Sequence, residues 1–106
     1  MAKFLIQASY TSDGLKGLMK DKASGRCAAV ETAAKSIGGS VECCYFTFGS
    51  DDVVVILDAP DNATAAAMSL TAAASGAVRI RTTPLLTVEE VDRALTIKVK
   101  YKAPGK

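Results

Sequence analysis

The chain has 106 residues, a mass of 11.0 kDa and a formal net charge of +2. That length makes one domain with one modest core, and the charge is too weak to imply a nucleic acid or an anionic membrane surface as partner. Histidine and tryptophan are absent, which excludes a Ser-His-Asp triad, a His-ligated haem and the ordinary zinc and iron sites. No apolar run approaches the ~20 residues of a membrane span. Met1-Ala2-Lys3-Phe4 enters a strand-like pattern at once, so no signal peptide is visible. The cysteines are Cys27, Cys43 and Cys44. An odd count without an export signal fits free thiols in a cytoplasmic protein.

Lys3–Tyr10 alternates. Phe4, Ile6, Ala8 and Tyr10 share one face, while Leu5, Gln7 and Ser9 share the other, the period of a first strand. Thr11 or Ser12 can cap a helix starting after the turn. A short helical face at Leu15, Leu18 and Met19 is weakened by Gly17 and Ala23-Ser24-Gly25, where a break is expected. Arg26–Ile37 is firmer, with Cys27, Val30, Ala34 and Ile37 as core stripe and Arg26, Glu31 and Lys35 away from it. Gly38-Gly39 ends this helix.

Ser40–Phe48 is the second strand, with Val41, Cys43 and Tyr45 facing one way and Cys44, Phe46 and Phe48 the other. Gly49-Ser50-Asp51-Asp52 turns the chain into a hairpin. Val53–Leu57 is continuously apolar, as in a strand covered on both faces. Asp61 caps a helix over Ala63–Ser75, with Ala66, Ala67, Leu70 and Ala74 expected on its packed face and Gly76 at its end. Val78, Ile80 and Thr82 alternate with Arg79, Arg81 and Thr83 in a fourth strand closed by Pro84. Thr87-Val88-Glu89-Glu90 is a capping box for a short helix to about Leu95. Ile97–Lys102 alternates apolar residues with lysine, the pattern of a guarded edge strand.

The order predicts an α+β, ferredoxin-like split βαβ (βαββαβ) domain over residues 1–95, followed by a basic extension over residues 96–106. The antiparallel sheet is expected in the order 4-1-3-2 with two helices on one face. Its other face carries either Val53, Val55 and Leu57 or Val54 and Ile56, more apolar surface than a monomer ordinarily shows water. Two such faces packed together make a dimeric α/β-barrel.

The stretch Tyr45-Phe46-Thr47-Phe48-Gly49-Ser50-Asp51-Asp52-Val53-Val54-Val55 resembles the signature of the GYD domain proteins. So do Gly38-Gly39, Ala59-Pro60-Asp61 and Gly76-Ala77-Val78-Arg79 in that order, over roughly residues 3–90. Gly49 and Asp52 match the Gly-x-Tyr-Asp turn of that family, with Asp51 where tyrosine is usual. The resemblance implies a small, mainly bacterial, dimeric α/β-barrel domain of unassigned function. The wider fold group includes metal-free monooxygenases, isomerases and ligand-binding dimers, and the fold does not choose among them.

Each chemical candidate has a plain structural reading beside it. Asp51-Asp52 can be a carboxylate pair for acid–base work, with Asp52 the candidate, or for a metal, though neighbours at a strand entrance point to opposite faces; the plain reading is a hairpin turn with Asp52 bonded to backbone. Cys43 and Cys44 point to opposite faces of a strand, so they do not pair with each other, and Cys27 can pack near a sheet cysteine. Arg79 and Arg81 can hold a carboxylate or phosphate with Gln7 and Ser9 beside them, or they can form salt bridges to Glu42 or the Asp51-Asp52 turn. Tyr10 and Tyr45 can donate a proton or serve as core-edge residues. The lysine tail, Lys98, Lys100, Lys102 and Lys106, can bind nucleic acid with Tyr101 stacking, which the low net charge argues against; it is read as a strand for a partner subunit or a second dimer, or as a solvated end. The expectation is a homodimer, with no cofactor and no metal, that binds a small organic molecule between sheet and helices. The alternative is a metal-free enzyme of the monooxygenase or isomerase type.

Overall fold

A computed structural model describes residues 1–106. Four strands, β1 (Ala2–Tyr10), β2 (Ser40–Phe46), β3 (Val53–Ala59) and β4 (Val78–Leu85), form one antiparallel sheet in the order β2-β3-β1-β4. Helix α1 (Ser12–Ser36) joins β1 to β2, and α2 (Asn62–Ala74) joins β3 to β4. A third helix, α3 (Val88–Thr96), comes after β4. The element order and the sheet order agree with the sequence reading, and the α+β arrangement is consistent with a ferredoxin-like fold.

Period-2 alternation sets the two faces of the sheet. Phe4, Ile6 and Ala8 of β1 and Val53, Val55, Leu57 and Ala59 of β3 are buried on one side. Ala34 of α1 and Ala65 of α2 complete a core of nine apolar residues. Helices cover only this side, so Leu5, Val54 and Ile56 on the other remain half-buried. The apolar run of β3 is thus one packed row and one open row.

Side-chain caps fix the helix starts. Thr11 Oγ1 accepts from the Gly14 amide at 3.2 Å. Asp61 Oδ1 accepts from the Thr64 amide at 2.8 Å, and Thr87 and Glu90 form the expected reciprocal box. These bonds satisfy donors that the first helical turn leaves unpaired. Backbone bonding holds the Asp61 and Glu90 carboxyls below the usual carboxylate range, chiefly through the Thr64 and Thr87 amides. Gly38 and Gly76 close α1 and α2 at positive φ, where glycine carries no side-chain penalty. The break in α1 falls at Lys22, with φ 66°, between the Gly17 and Gly25 weak points.

Several expectations are corrected. Helix α2 turns Ala65 and Ser69 to the sheet, with Met68 and Ala72 half-buried. Ala66, Ala67 and Ala74 are exposed, and Leu70 is 70% exposed. Ser69 and Thr82 share a hydroxyl–hydroxyl bond of 2.5 Å across the α2–β4 contact, so a polar pair occupies what a Leu stripe was expected to fill. In β2 a bulge leaves Glu42 unpaired between Val41↔Leu57 and Cys43↔Ile56. The extra residue returns Val41 to the same face as Cys44 and Phe46. Phe48 lies beyond the strand and is fully exposed. β4 runs through Pro84, which an edge strand tolerates. Cys27 and Cys44 are joined in a disulfide, not free, while Cys43 is a free thiol on the other face. The extension forms no strand within the chain, and Ile97–Lys102 is exposed.

Candidate functional site

Helix α1 packs chiefly over β2, and α2 over β4. The two helices therefore leave a groove between them above the central strands. Small residues keep it open. Ala29 and Ala33 of α1 face Ala67 and Ala72 of α2 across a space of about 270 Å³. Beneath it, against the sheet, lies a second space of about 90 Å³, bounded by Ile6, Ala8, Tyr10, Val30, Cys44, Phe46, Val55, Met68 and Ile80. Val30, Met68, Ala72 and Arg26 line both, so the groove and the space below it are neighbours along one wall. The lower space has thirteen hydrophobic lining residues among its fourteen, and Arg26 is the exception.

The sequence places Arg26 away from the core, but the structure puts it on the groove side. The break at Lys22 restarts the helix, and Arg26 then stands four residues before Val30 on one line with Ala33 and Ile37. That spacing was the available signal. Arg26 Nη1 lies 3.5 Å from Asp21 Oδ2, with both side chains more than a third exposed, a contact weak enough for a ligand to displace. The Cys27–Cys44 disulfide ties the same turn of α1 to β2. Cys27, Cys44 and Tyr10 line the lower space, and Tyr10 also lines the polar mouth beyond it, with Asp13, Asp21 and Arg26.

The other sequence candidates, Asp52 excepted, lie on the open face of the sheet. Asp51 is their centre. Arg81 Nη2 donates to Asp51 Oδ2 at 2.5 Å, Gln7 Nε2 approaches the same oxygen at 3.5 Å, and Ser9 Oγ approaches Oδ1 at 3.5 Å. Ser9 Oγ also donates to the Ser50 carbonyl at 3.0 Å. Three of the four residues read as a ligand cluster therefore converge, but on a carboxylate of the chain itself. Arg79 sits beside Ser9 in the β1–β4 register and stays exposed. Tyr45, opposite Val54, is 68% exposed on this face, so the sheet separates it from Tyr10.

Asp52 turns the other way. Its Oδ2 accepts from the Tyr10 amide at 2.8 Å, and its own amide donates to the Ala8 carbonyl at 2.8 Å. It ties the hairpin to the end of β1, the structural reading of that turn. No group of three or more Cys, Asp or Glu side chains converges as metal ligands would. At the far end of the open face, Lys3 Nζ bonds both Asp58 and Glu42 at 2.8 Å. Those two bonds raise the lysine's pKa, Asp58 first. No helix is long and apolar enough to cross a membrane.

Fold and site together define a small α+β domain with a sheet–helix cavity on one face and an unpartnered sheet on the other. The chain belongs to the GYD domain family, whose family model matches residues 4–95. No curated protein and no solved structure was found to match the chain.

Proposed function

We propose that the protein is a dimeric, ferredoxin-like α/β-barrel protein that binds a small organic molecule between its helices and its sheet. One observation carries the ligand reading. The helices do not close over the sheet, and the space they leave is walled mostly by apolar side chains, with Ser36 and Thr71 on the groove and the Arg26 guanidinium lining both parts. The combined space is near the lower end of the ~300–1,000 Å³ usual for small-molecule sites. Native mass spectrometry of the protein as purified tests it. The reading predicts a small-molecule adduct that Ala72→Phe, which fills the shared wall, removes. A bare chain mass for wild type, together with a ligand panel in which nothing shifts the wild-type melting temperature more than that of Ala72→Phe, contradicts it.

Support for the dimer comes from the open face. Cys43, Ile56 and Leu5 lie side by side in register, as do Tyr45, Val54 and Gln7. Ion pairs mark both ends of this band, Lys3 with Asp58 and Glu42 at one and Arg81 with Asp51 at the other. An apolar centre with a polar rim is the usual anatomy of an association surface. The cytoplasmic address rests on an odd cysteine count without a visible export signal, and the Cys27–Cys44 bond removes only the free-thiol part of that support.

A metal-free enzyme of the isomerase or monooxygenase type is the second reading. It is favoured by the Tyr10 phenol and the Arg26 guanidinium standing on one cavity, a proton donor beside an anion holder. Tyr45 and Asp52 are not placed to join them. Turnover that Tyr10→Phe abolishes while ligand affinity is kept supports this reading; unchanged turnover rejects it.

A further inference from the structure

We propose that the ligand is a monocarboxylate with a compact apolar body, its carboxylate held by Arg26 and its body seated against Met68, Val30 and the sheet. This rests on the cavity reading above and names its substrate class. Three observations lead to it. Arg26 is the one charged residue lining both the groove and the space beneath it. Its in-chain ionic partner, Asp21, is 3.5 Å away and exposed, so the planar fork of donors keeps capacity for a bidentate carboxylate. Apart from the Tyr10 hydroxyl the remaining walls are apolar: Ile6, Val30, Val55, Met68 and Ile80 offer contact area and no charge to compete for the guanidinium.

The mouth narrows the class. Asp13 and Asp21 line the outer, polar space that Arg26 shares. A ligand with one negative charge can place it on the guanidinium while its body faces inward. A phosphate ester or dicarboxylate would direct a second negative charge toward those two aspartates, and like charges at that range repel. A neutral amide of the same shape keeps the apolar contacts but loses the charge-assisted pair.

Phenylacetate and hexanoate, each against its neutral amide, test the inference by calorimetric or NMR titration of the full chain. The expected result is that the acids bind about tenfold or more tightly than the amides. Arg26→Gln should abolish that preference, while Arg26→Lys retains part of it. Phenyl phosphate should bind more weakly than phenylacetate. Equal affinity for acid and amide in wild type overturns the carboxylate assignment and leaves the cavity reading standing. Failure of both acid and amide to bind overturns both. An acid preference that survives Arg26→Gln in folded protein moves the anion site elsewhere and also overturns the proposal.

Discussion

On the helix side of the sheet, Phe4, Ile6, Val55 and Leu57 are all at or below 5% exposure. On the other side, Leu5, Val54 and Ile56 come from the same two strands and stay half-buried. Both rows are made of residues that favour strands and burial, so composition does not separate them. Neighbours do. The first row meets two helices of this chain; the second meets none. A core of nine apolar residues is thin for this length, and the open row is the natural place to add to it. The helix side has its own incompleteness, because alanine-lined helices stop short of each other and leave the groove. One face thus leaves a groove, where the proposed ligand would sit, and the other leaves a half-buried row, where the proposed partner sheet would pack.

The largest expected effect breaks the packed row. Leu57 has no exposure, and Leu57→Ala should cost about 2–5 kcal/mol in urea unfolding. Ile56→Ala, one residue along on the open row, should cost clearly less when measured at concentrations where the chain is monomeric. Equal costs would erase the distinction between the faces.

The disulfide comes next. It closes a separation of 17 residues between α1 and β2, and reduction, or the double change Cys27→Ser with Cys44→Ser, should lower stability by about 3 kcal/mol at most. Cys43→Ser should leave the unfolding midpoint and its response to reductant unchanged. A free-thiol titration giving three thiols in unfolded, unreduced protein would contradict the bond.

Smaller still is the Asp51 cluster. Arg81 is 64% exposed but its partner carboxylate is 15% exposed. Arg81→Met should cost about 1 kcal/mol or less, read as a shift in urea midpoint, and should leave ligand binding on the other face untouched.

The smallest effect is in pH. The Asp61 and Glu90 carboxyls titrate below their ordinary values because backbone amides bond the charged form. Their stabilising contribution is present above the unfolded carboxylate range of about 4 and is lost as pH falls through the lower folded values. A thermal melt series from pH 6 to pH 2 should show the drop, and Asp61→Asn, which still caps without a charge, should flatten part of it.

Much of the fold is legible in the sequence because its signals are local. Alternation marks the strand faces of β1 and β4, while the apolar run of β3 shows a strand without showing which row is packed. Thr11, Asp61 and Thr87 announce the helix starts, and Gly38 and Gly76 their ends. The features that escape a local reading depend on contrast or on distance. Helix α2 is so rich in alanine that its stripes hardly differ, and Leu70 points to the wrong face, while Ser69 is buried through a bond to Thr82 that no local pattern shows. The β2 bulge at Glu42 shifts Val41 by one face, which alternation alone cannot register. The open-face cluster of Gln7, Ser9 and Arg81 is legible as a neighbourhood, and the Asp51-Asp52 turn as a salt-bridge partner for its arginines, but only the contact across the sheet picks Asp51 and not Asp52 as its centre. The cavity and the Cys27–Cys44 pairing arise from elements far apart in sequence. Arg26 escapes because a charge beside an apolar stripe usually faces solvent.

The contrast between the two faces is tested most directly by mass in solution. Light scattering at micromolar concentration should give wild type twice the 11.0 kDa of one chain and Ile56→Glu the mass of one. Wild type at 11.0 kDa, or an Ile56→Glu protein that keeps the doubled mass, would contradict the account.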